Sequence, residues 1–230
     1  MRNDPAQYDR LAGQWWLPDG AFAMLHWLAA ARGALVPLAG RPGALLVDLG
    51  CGGGLLAPHV AGLGYTHVGV DLVDSALRRA RAHGVLPIKG DVLHVPLGDG
   101  CADVVVAGEI LEHVTDLPMA VAEACRLLRP GGVLVLDTLA DTFLARFLAV
   151  TVAERLPGVP RGIHDPALFV NRPRLVRLCA RGGVGLSLRG IRPSVPQLVR
   201  WLPRRQGRVD LVPSTSTVVL FQGLGIKEAG

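Results

Sequence analysis

The sequence has few lysines, few aromatic residues and few charged residues overall. Lys89 and Lys227 are its lysines, so the 24 Lys+Arg residues, set against 19 Asp+Glu, are almost all arginines. Charged residues make up 19% of the chain and hydrophobic residues 50%, which excludes an intrinsically disordered protein. A scattered arginine excess of this kind is typical of a solvated surface and argues against nucleic acid as a partner. The one small cluster comprises Arg200, Arg204, Arg205 and Arg208.

Cysteine is also scarce, and its spacing excludes the common metal fingers. There is no CxxC pair, so we expect reduced thiols in a cytoplasmic protein. The first ten residues, MRNDPAQYDR, are polar and lack the apolar core of a secretion signal. No apolar run reaches the roughly 18 residues that a membrane-spanning helix needs. The four cysteines are Cys51, Cys101, Cys125 and Cys179.

Strand-like and helix-like segments alternate through the middle of the chain. The alternation predicts a mostly parallel sheet with helices on both faces. We therefore expect an α/β, three-layer, Rossmann-like fold with a seven-stranded sheet. The seven expected strands are residues 45–50, 67–72, 85–92, 102–109, 133–139, 184–193 and 214–226.

Two segments lie outside this alternation. Residues 1–40 have a mostly helical pattern and predict an N-terminal helical cap, or lid. Residues 41–230 then form the main domain, in which residues 140–175 are an insertion. Both segments are expected to cover the carboxyl-terminal edge of the sheet, where ligands bind in such folds. We expect the tryptophans of the cap to pack in its core, with stacking on a substrate as the alternative.

A glycine-rich loop follows the first expected strand. The sequence VDLGCGGG places Gly50, Gly52 and Gly54 where they permit tight turns and close approach of a ligand. A dinucleotide fingerprint needs Gly or Ala where this chain has Leu55, which argues against a nicotinamide cofactor. Asp48 precedes the loop, and an acid at this point suits a cationic or amine-bearing ligand.

Two further aspartates follow the next two strands. Asp71 ends the second strand roughly 20 residues beyond Gly50, where a carboxylate can bind both ribose hydroxyls of a nucleoside. Asp91 follows the third strand and can reach an adenine amino group. The loop alone is weak evidence, but the loop and both aspartates in register indicate a ligand that contains a nucleoside.

With these features the region from Leu45 to Leu136 resembles the class I S-adenosylmethionine (SAM) methyltransferases. The segments DVVVAGEILEHVTD and RLLRPGG are part of the resemblance. It implies the class I methyltransferase fold, with the glycine loop along the methionine part of SAM and the aspartates on its nucleoside. The SAM-binding residues that it implies are Asp48, Gly50, Gly52, Asp71, Leu72, Asp91, Val92 and Gly108.

The fourth expected strand ends in the sequence EILEH. Glu109, Glu112 and His113 are spaced i, i+3 and i+4, so a helical turn would put all three on one side. Two carboxylates and an imidazole can bind Mg, Mn or Zn. In the alternative interpretation the histidine lines a substrate pocket, and the glutamate caps a helix or pairs with arginine. These five residues alone leave both interpretations open.

Two more segments resemble the ubiquinone-biosynthesis O-methyltransferases of the demethylubiquinol type. Residues 15–32, WWLPDGAFAMLHWLAAAR, contain the family's Trp pair, Gly, Leu-His pair and Arg. The resemblance implies that Arg32 contacts the carboxylate of SAM, a pairing that suits arginine. Residues 156–169, LPGVPRGIHDPALF, resemble the family's Gly-x-His-Asp stretch, which implies that His164 lies over the pocket.

The resemblance also implies a reaction, namely transfer of the SAM methyl group to a phenol or catechol hydroxyl of a quinone precursor or aromatic natural product. In this family the ExxEH residues bind a divalent metal, so Glu109, Glu112 and His113 are the implied ligands of Mg or another divalent ion. Such an ion favours the phenolate. His113 or His164, when not a ligand, can take the phenolic proton instead. A His164 that only caps a turn with Asp165 is the structural alternative.

The sequence departs from the family pattern in two places. The family has Asn-Pro where this chain has Ala29-Ala30, and the stretch 191–208 lacks the family's Tyr-Asn-Pro pattern, so the acceptor stays open. Two alternatives are a metal-dependent RNA ribose methyltransferase and a non-catalytic SAM-binding protein. Residues 142–156 are apolar nearly all round, which fits a buried cover, a homodimer contact or peripheral membrane contact.

Overall fold

The computed structural model describes residues 3–4, 6–155 and 159–229, so the start of the predicted Gly-x-His-Asp segment, 156–158, lies outside the described residues. The strands are β1 (Leu45–Leu49), β2 (Thr66–Asp71), β3 (Leu86–Lys89), β4 (Ala102–Gly108), β5 (Leu128–Leu139), β6 (Val184–Pro193), β7 (Leu211–Ser214) and β8 (Leu220–Lys227). The α-helices are α1 (Ala6–Arg10), α2 (Ala23–Gly33), α3 (Ala57–Val60), α4 (Asp74–Ala82), α5 (Leu117–Leu127), α6 (Phe143–Arg146), α7 (Arg172–Arg181) and α8 (Val195–Arg204).

One mixed sheet contains the strands of the described residues, in the order β3-β2-β1-β4-β5-β8-β6-β7. The strands from β3 to β5 pair in parallel, and β8, β6 and β7 join them antiparallel. The chain order reverses between β1 and β4, and ligands bind outside the carboxyl ends of strands at such a point. The Rossmann-like class is therefore confirmed, and the topology gathers the ends of β1, β2 and β4 at one edge.

The central strands are apolar on both faces because helices cover both faces. Val105 of β4 belongs to the same buried cluster as Val121 of α5. Its neighbours Val104 and Val106 point the other way and belong to a cluster with Val60 of α3. Alternate residues thus bury themselves in two cores, which explains why these strands are nearly continuous apolar runs in the sequence.

The prediction of seven strands was wrong, because the described residues form eight. The additional strand is β7, a short edge strand that pairs antiparallel with β6. Its Pro213 cannot donate to a ladder, so the segment is suited only to an edge, and it gives a weak strand signal in the sequence. The last strand also begins at Leu220 rather than at residue 214.

The N-terminal segment packs over the glycine loop. Trp15 and Phe22 are buried, and their rings stack with centroids 4.1 Å apart. Trp16 donates a hydrogen bond from Nε1 to the carbonyl oxygen of Gly53, at 2.9 Å. These tryptophans are part of the packing, as expected. That the segment moves as a lid, and that it forms a division separate from residues 41–230, both stay predictions.

A second contact connects the N-terminal segment to the C-terminal part of the chain. Trp27 of α2 meets Trp201 of α8 edge to face, with ring centroids 4.8 Å apart, and both are buried. The guanidinium of Arg205 lies 4.5 Å from the centre of the Trp201 ring. All four cysteines are free thiols, as predicted. Within the described residues, no helix has the length and apolarity required to cross a bilayer.

Candidate active site

A cavity of about 670 Å³ opens at the carboxyl-terminal edge of the sheet. This volume lies within the range of small-molecule and cofactor sites. Every residue predicted for the site contributes to its lining except Glu112. The lining therefore includes Arg32, Asp48, Gly50, Gly52, Asp71, Leu72, Asp91, Val92, Gly108, Glu109, His113 and His164.

The glycine loop needs glycine at two positions for both backbone and space. Gly50 has φ +68° and Gly52 has φ +51°, values that L side chains rarely adopt. A Cβ added to Gly50 would lie 2.7 Å from the Ile110 side chain, and one added to Gly52 would lie 2.5 Å from Trp15. The loop is thus held between EILEH on one side and the N-terminal segment on the other.

Asp71 stands at the mouth of this loop. Its Oδ2 accepts a hydrogen bond from the Gly52 amide at 2.8 Å, and its Oδ1 accepts one from the Val73 amide at 2.9 Å. Burial raises the pKa of Asp71, and these two amides work against that rise. Asp91 accepts from the Leu93 amide at 2.9 Å. Both carboxylates are fixed by the backbone before any ligand arrives.

Arg32 lies on the cavity wall in a salt bridge that the sequence did not predict. Its Nε and Nη2 each donate to an oxygen of Asp137 at 2.7 Å. Burial alone lowers the pKa of Arg32, but the neighbouring Asp137 carboxylate outweighs burial and raises it. A Cβ on Gly108 would lie 1.8 Å from the Arg32 guanidinium carbon, so Gly108 makes room for this side chain.

The EILEH residues do not form the helical turn that the spacing predicted. Glu109 has φ +50°, which breaks a right-handed turn at its first residue. Glu112 turns into the protein, fully buried, and accepts a hydrogen bond from Thr138 Oγ1 at 2.7 Å. His113 instead faces the cavity.

The metal prediction is therefore not supported. Among the described ranges, no group of three or more His, Cys, Asp or Glu side chains is arranged to hold a metal ion. Glu109 and Glu112 each have one buried carboxyl oxygen, Oε1, that has no hydrogen-bond partner among the described residues. Burial and their mutual repulsion raise the pKa of Glu109, and burial raises the pKa of Glu112. Each of these shifts favours the protonated form of the carboxyl concerned.

Two histidines of the cavity lining lie close together. The rings of His113 and His164 lie 5.6 Å apart with 27° between their planes. Nδ1 of His113 lies 2.7 Å from Oδ1 of Asn3, whose amide nitrogen donates to the His113 carbonyl oxygen. Burial, with a smaller effect from His164, lowers the pKa of His113 to about 3. Nδ1 of His164 lies 3.6 Å from Oε1 of the buried Glu154.

Sequence reasoning missed three residues that position the site. Asp137 holds Arg32, Asn3 holds His113, and Glu154 lies beside His164. Asp137 is the one acid within the apolar run VLVLDTL, and Glu154 is an acid within the apolar segment 142–156. An isolated acid in such a run must find a partner when it is buried, and this signal could have identified both. Asn3 carries no comparable signal.

Another part of the cavity lining is mainly apolar. Its walls come from β5, the segment after α6, the loop before His164, the end of β6 and the start of β8. Two arginines, Arg192 and Arg205, also reach this part of the lining. The apolar residues include Leu139, Leu148, Ala149, Val159, Ile163, Ile191 and Leu220.

Comparisons with known proteins agree with this geometry. A family model described as a methyltransferase domain matches residues 47–136. The ubiquinone biosynthesis O-methyltransferase of Thiobacillus denitrificans is 39% identical over 191 residues, which are 78% of this chain and 81% of that protein. The enzyme of the same name from Cupriavidus pinatubonensis is 37% identical over 202 residues, 82% of this chain and 81% of that protein.

Solved structures give the same fold. A SAM-dependent methyltransferase of Thermotoga maritima, described as a possible histamine N-methyltransferase, matches with a TM-score of 0.68 and 22% identity. The match covers 96% of this chain and 97% of that one. The solved structure shows the fold alone, whereas the sequence relatives, with 37–39% identity over about four fifths of each chain, also show the family. This chain belongs to the SAM-dependent O-methyltransferases of the ubiquinone biosynthesis O-methyltransferase family.

Proposed function

We propose that this O-methyltransferase acts on a phenol or catechol hydroxyl of a quinone precursor or a related aromatic compound. The observation that carries the proposal is the juxtaposition, in one cavity, of the fixed carboxylate of Asp71 with the imidazoles of His113 and His164. The first belongs to the cofactor half and the other two to the acceptor half. A reaction between bound SAM and a bound phenol requires both halves within one space.

The cofactor half suits SAM in charge and in shape. Asp71 is expected to accept hydrogen bonds from the ribose hydroxyls, while its backbone partners keep it in place. Asp91 and Val92 are expected to contact the adenine, and the loop from Gly50 to Gly52 the methionine part. Arg32, which Asp137 holds in place by a salt bridge, is expected to pair with the carboxylate of the methionine part of SAM. When bound, SAM supplies a methyl group activated by a sulfonium.

The acceptor half supplies a base. The reaction forms a bond between the acceptor oxygen and the methyl carbon, breaks the methyl–sulfur bond and releases the phenolic proton. Burial lowers the pKa of His113 to about 3, which makes it a poor proton acceptor near neutral pH. His164 instead faces a carboxylate, with its Nδ1 3.6 Å from Oε1 of Glu154. We therefore assign proton removal to His164 and positioning of the acceptor to His113.

This mechanism includes no metal step. Glu112 does not line the cavity, and its Oε2 accepts a hydrogen bond from Thr138 Oγ1. Because Glu109 and His113 line the cavity and Glu112 does not, these three described residues do not converge on one point, as three ligands of one ion must. The metal-assisted form of the reaction would need a rearrangement of EILEH.

The acceptor itself is proposed only as a class. The apolar walls suit a phenol that carries an apolar substituent, such as a quinone precursor. The end of β6 contributes Ile191 and Arg192 to the wall, and Arg205 reaches it from the residue directly after α8. These residues lie in the stretch that lacks the family's Tyr-Asn-Pro pattern, so we expect acceptor preference to differ from that of the relatives.

Peripheral membrane contact is a further part of this proposal. Phe143 is 85% exposed, and Leu144, Phe147 and Val152 of the same segment are also exposed. Leu148 of this segment lines the cavity, so an apolar acceptor could enter here directly from lipid. Sedimentation with lipid vesicles tests this contact. The double variant Phe143→Ser with Phe147→Ser should abolish vesicle binding. Leu38→Ser, at an exposed apolar residue outside this segment, is the control and should not.

The decisive experiment is transfer of labelled methyl from SAM to a panel of catechols and monophenols. We expect transfer by the wild-type protein and a loss of about 100-fold or more in kcat for His164→Gln. SAM binding, measured by calorimetry, should be unchanged in that variant. Full activity of His164→Gln would refute its role as base, whereas tight SAM binding without transfer to any phenol would refute the acceptor class.

A further inference from the structure

Glu154 is a buried carboxylate in the segment that covers the active site. Its exposed fraction is 4%, although the residues around it are mostly exposed or half-buried. A carboxylate removed from water is costly unless it gains partners. Glu154 has such partners in one short stretch, the loop that carries His164.

Three contacts join Glu154 to this loop. Its Oε2 accepts a hydrogen bond from the Gly162 amide at 2.9 Å. Its Oε1 accepts from the His164 amide at 3.3 Å and lies 3.6 Å from Nδ1 of the same residue. The Glu154 carboxylate therefore contacts both the backbone amide and the imidazole ring of His164.

The His164 ring is bounded on two further sides. The His113 ring lies 5.6 Å away and nearly parallel, and the Phe169 ring meets it edge-on at 6.2 Å. With Nδ1 facing Glu154, the ring presents its other nitrogen, Nε2, away from that carboxylate. Which nitrogen of a histidine carries the proton is set by the partner of the other one.

We propose that Glu154 is a positioning residue, which holds His164 so that Nε2 faces the acceptor hydroxyl. The inference rests on the proposed function, because it requires His164 as the base. At 3.6 Å the ring contact is longer than a hydrogen bond, and such contacts tighten when substrate binds. The phenolic proton moves to Nε2, and the Glu154 carboxylate stabilises the imidazolium that results.

The test uses Glu154→Gln, which keeps the shape and a carbonyl oxygen but removes the charge. We expect kcat to fall about 100-fold, because a misplaced catalytic group costs this much. The KM for SAM should stay within twofold, because the cofactor half is untouched. Glu123→Gln is the matched control, since Glu123 also accepts a backbone amide at 2.9 Å, from Val95, and does not line the cavity. The kcat of the Glu123→Gln variant should equal that of the wild type.

A double variant separates positioning from simple structural support. In a His164→Gln background, Glu154→Gln should change kcat less than twofold, because the residue through which it acts is already gone. Multiplicative losses in the double variant, or wild-type kcat in Glu154→Gln, would overturn the proposal. Glu154→Asp should recover part of the lost kcat if charge is the important property, and an equal loss in Glu154→Asp and Glu154→Gln counts against it.

A measurement without turnover keeps this inference distinct from the proposed function. The ring proton resonances of His164 are assigned by their loss in His164→Gln. They should shift in Glu154→Gln, while those of His94, which does not line the cavity, should not. Unshifted His164 resonances overturn the positioning role even when no phenol is methylated. Shifted resonances with no phenol methylated would sink the acceptor class and leave the Glu154–His164 contact standing.

Discussion

Arg32 and Asp137 form a buried, two-point salt bridge that joins the N-terminal segment to the central sheet. Nε and Nη2 of Arg32 each lie 2.7 Å from one oxygen of Asp137, and the side chain of Asp137 is fully buried. Helix α2 is thereby fastened to strand β5 beside the expected position of the SAM carboxylate.

Removal of Asp137 should destabilise the protein strongly. Asp137→Ala leaves a buried guanidinium without its partner, and breaking a buried pair in this way costs about 3–5 kcal/mol. Urea unfolding followed by circular dichroism measures the loss. Asp141→Ala serves as the control, because Asp141 pairs with Arg146 at the partly exposed surface, where such pairs contribute at most about 1 kcal/mol. Equal losses in both variants would contradict the role given to burial.

A side chain at position 52 should weaken SAM binding. Gly52→Ala combines a positive φ with a contact of 2.5 Å to Trp15, so the loop or the tryptophan must move. We expect the Kd for SAM, measured by calorimetry, to rise roughly tenfold or more, as 1–3 kcal/mol of backbone strain implies. Gly62→Ala is the matched control, because a Cβ there meets no atom within 4 Å. An unchanged Kd for Gly52→Ala would show that the loop tolerates the shift.

Metal removal should leave methyl transfer intact. Glu112 is turned away from the cavity towards Thr138, so EDTA should not lower the rate, and added Mg should not raise it. Glu112→Gln should keep most of the activity, because its carbonyl oxygen can still accept from Thr138. Labelled-methyl transfer with and without EDTA checks both points. Activity that stops with EDTA and returns with Mg would restore EILEH as a metal site.

Acid should destabilise the protein partly through Asp103. Burial alone raises its pKa, but hydrogen bonds from Arg41, the Leu45 amide and Arg129 outweigh burial and lower the pKa to about 2. The unfolded chain then binds this proton first, so the contribution of Asp103 is complete above its ordinary pKa of 3.8 and is lost as the pH falls towards 2.

The corresponding variant is Asp103→Asn. Its free energy of unfolding should be lower than that of the wild type at pH 5, and the difference should shrink between pH 4 and pH 2. Asp74→Asn, at an exposed ion pair with Lys89, is the control and should retain the wild-type slope. Urea titrations at each pH measure the slope. Parallel curves for wild type and Asp103→Asn would contradict the assignment.

The sequence predicted the central sheet well because the buried strands are apolar on both faces. Runs such as 102–109 and 133–139 have few other ways to be buried, and glycine-rich turns separate them from the helices. β7 was missed since an edge strand has one neighbour and tolerates Pro213, which weakens its signal. The position of β7 at the edge of the sheet therefore explains why the sequence analysis missed this strand.

The site residues were predicted unevenly for a similar reason. Asp71 and the glycine loop depend on local chain geometry, which a spacing rule captures, and the structure brings them together. EILEH depended on a continued right-handed turn, and the positive φ of Glu109 cannot be read from spacing. Asp137 and Glu154 act across long sequence separations, so only the three-dimensional contacts identify what they hold.

The contact between Trp27 and Trp201 joins two residues that are far apart in the sequence, and it therefore constrains the order of folding. During synthesis Trp27 leaves the ribosome long before Trp201, so the surface that buries Trp27 is made later. Contacts between such distant residues form late, because loop closure must precede them. The nascent sheet should therefore form while its cover is still incomplete, and a chaperone that binds exposed aromatic residues would meet Trp27 during that interval.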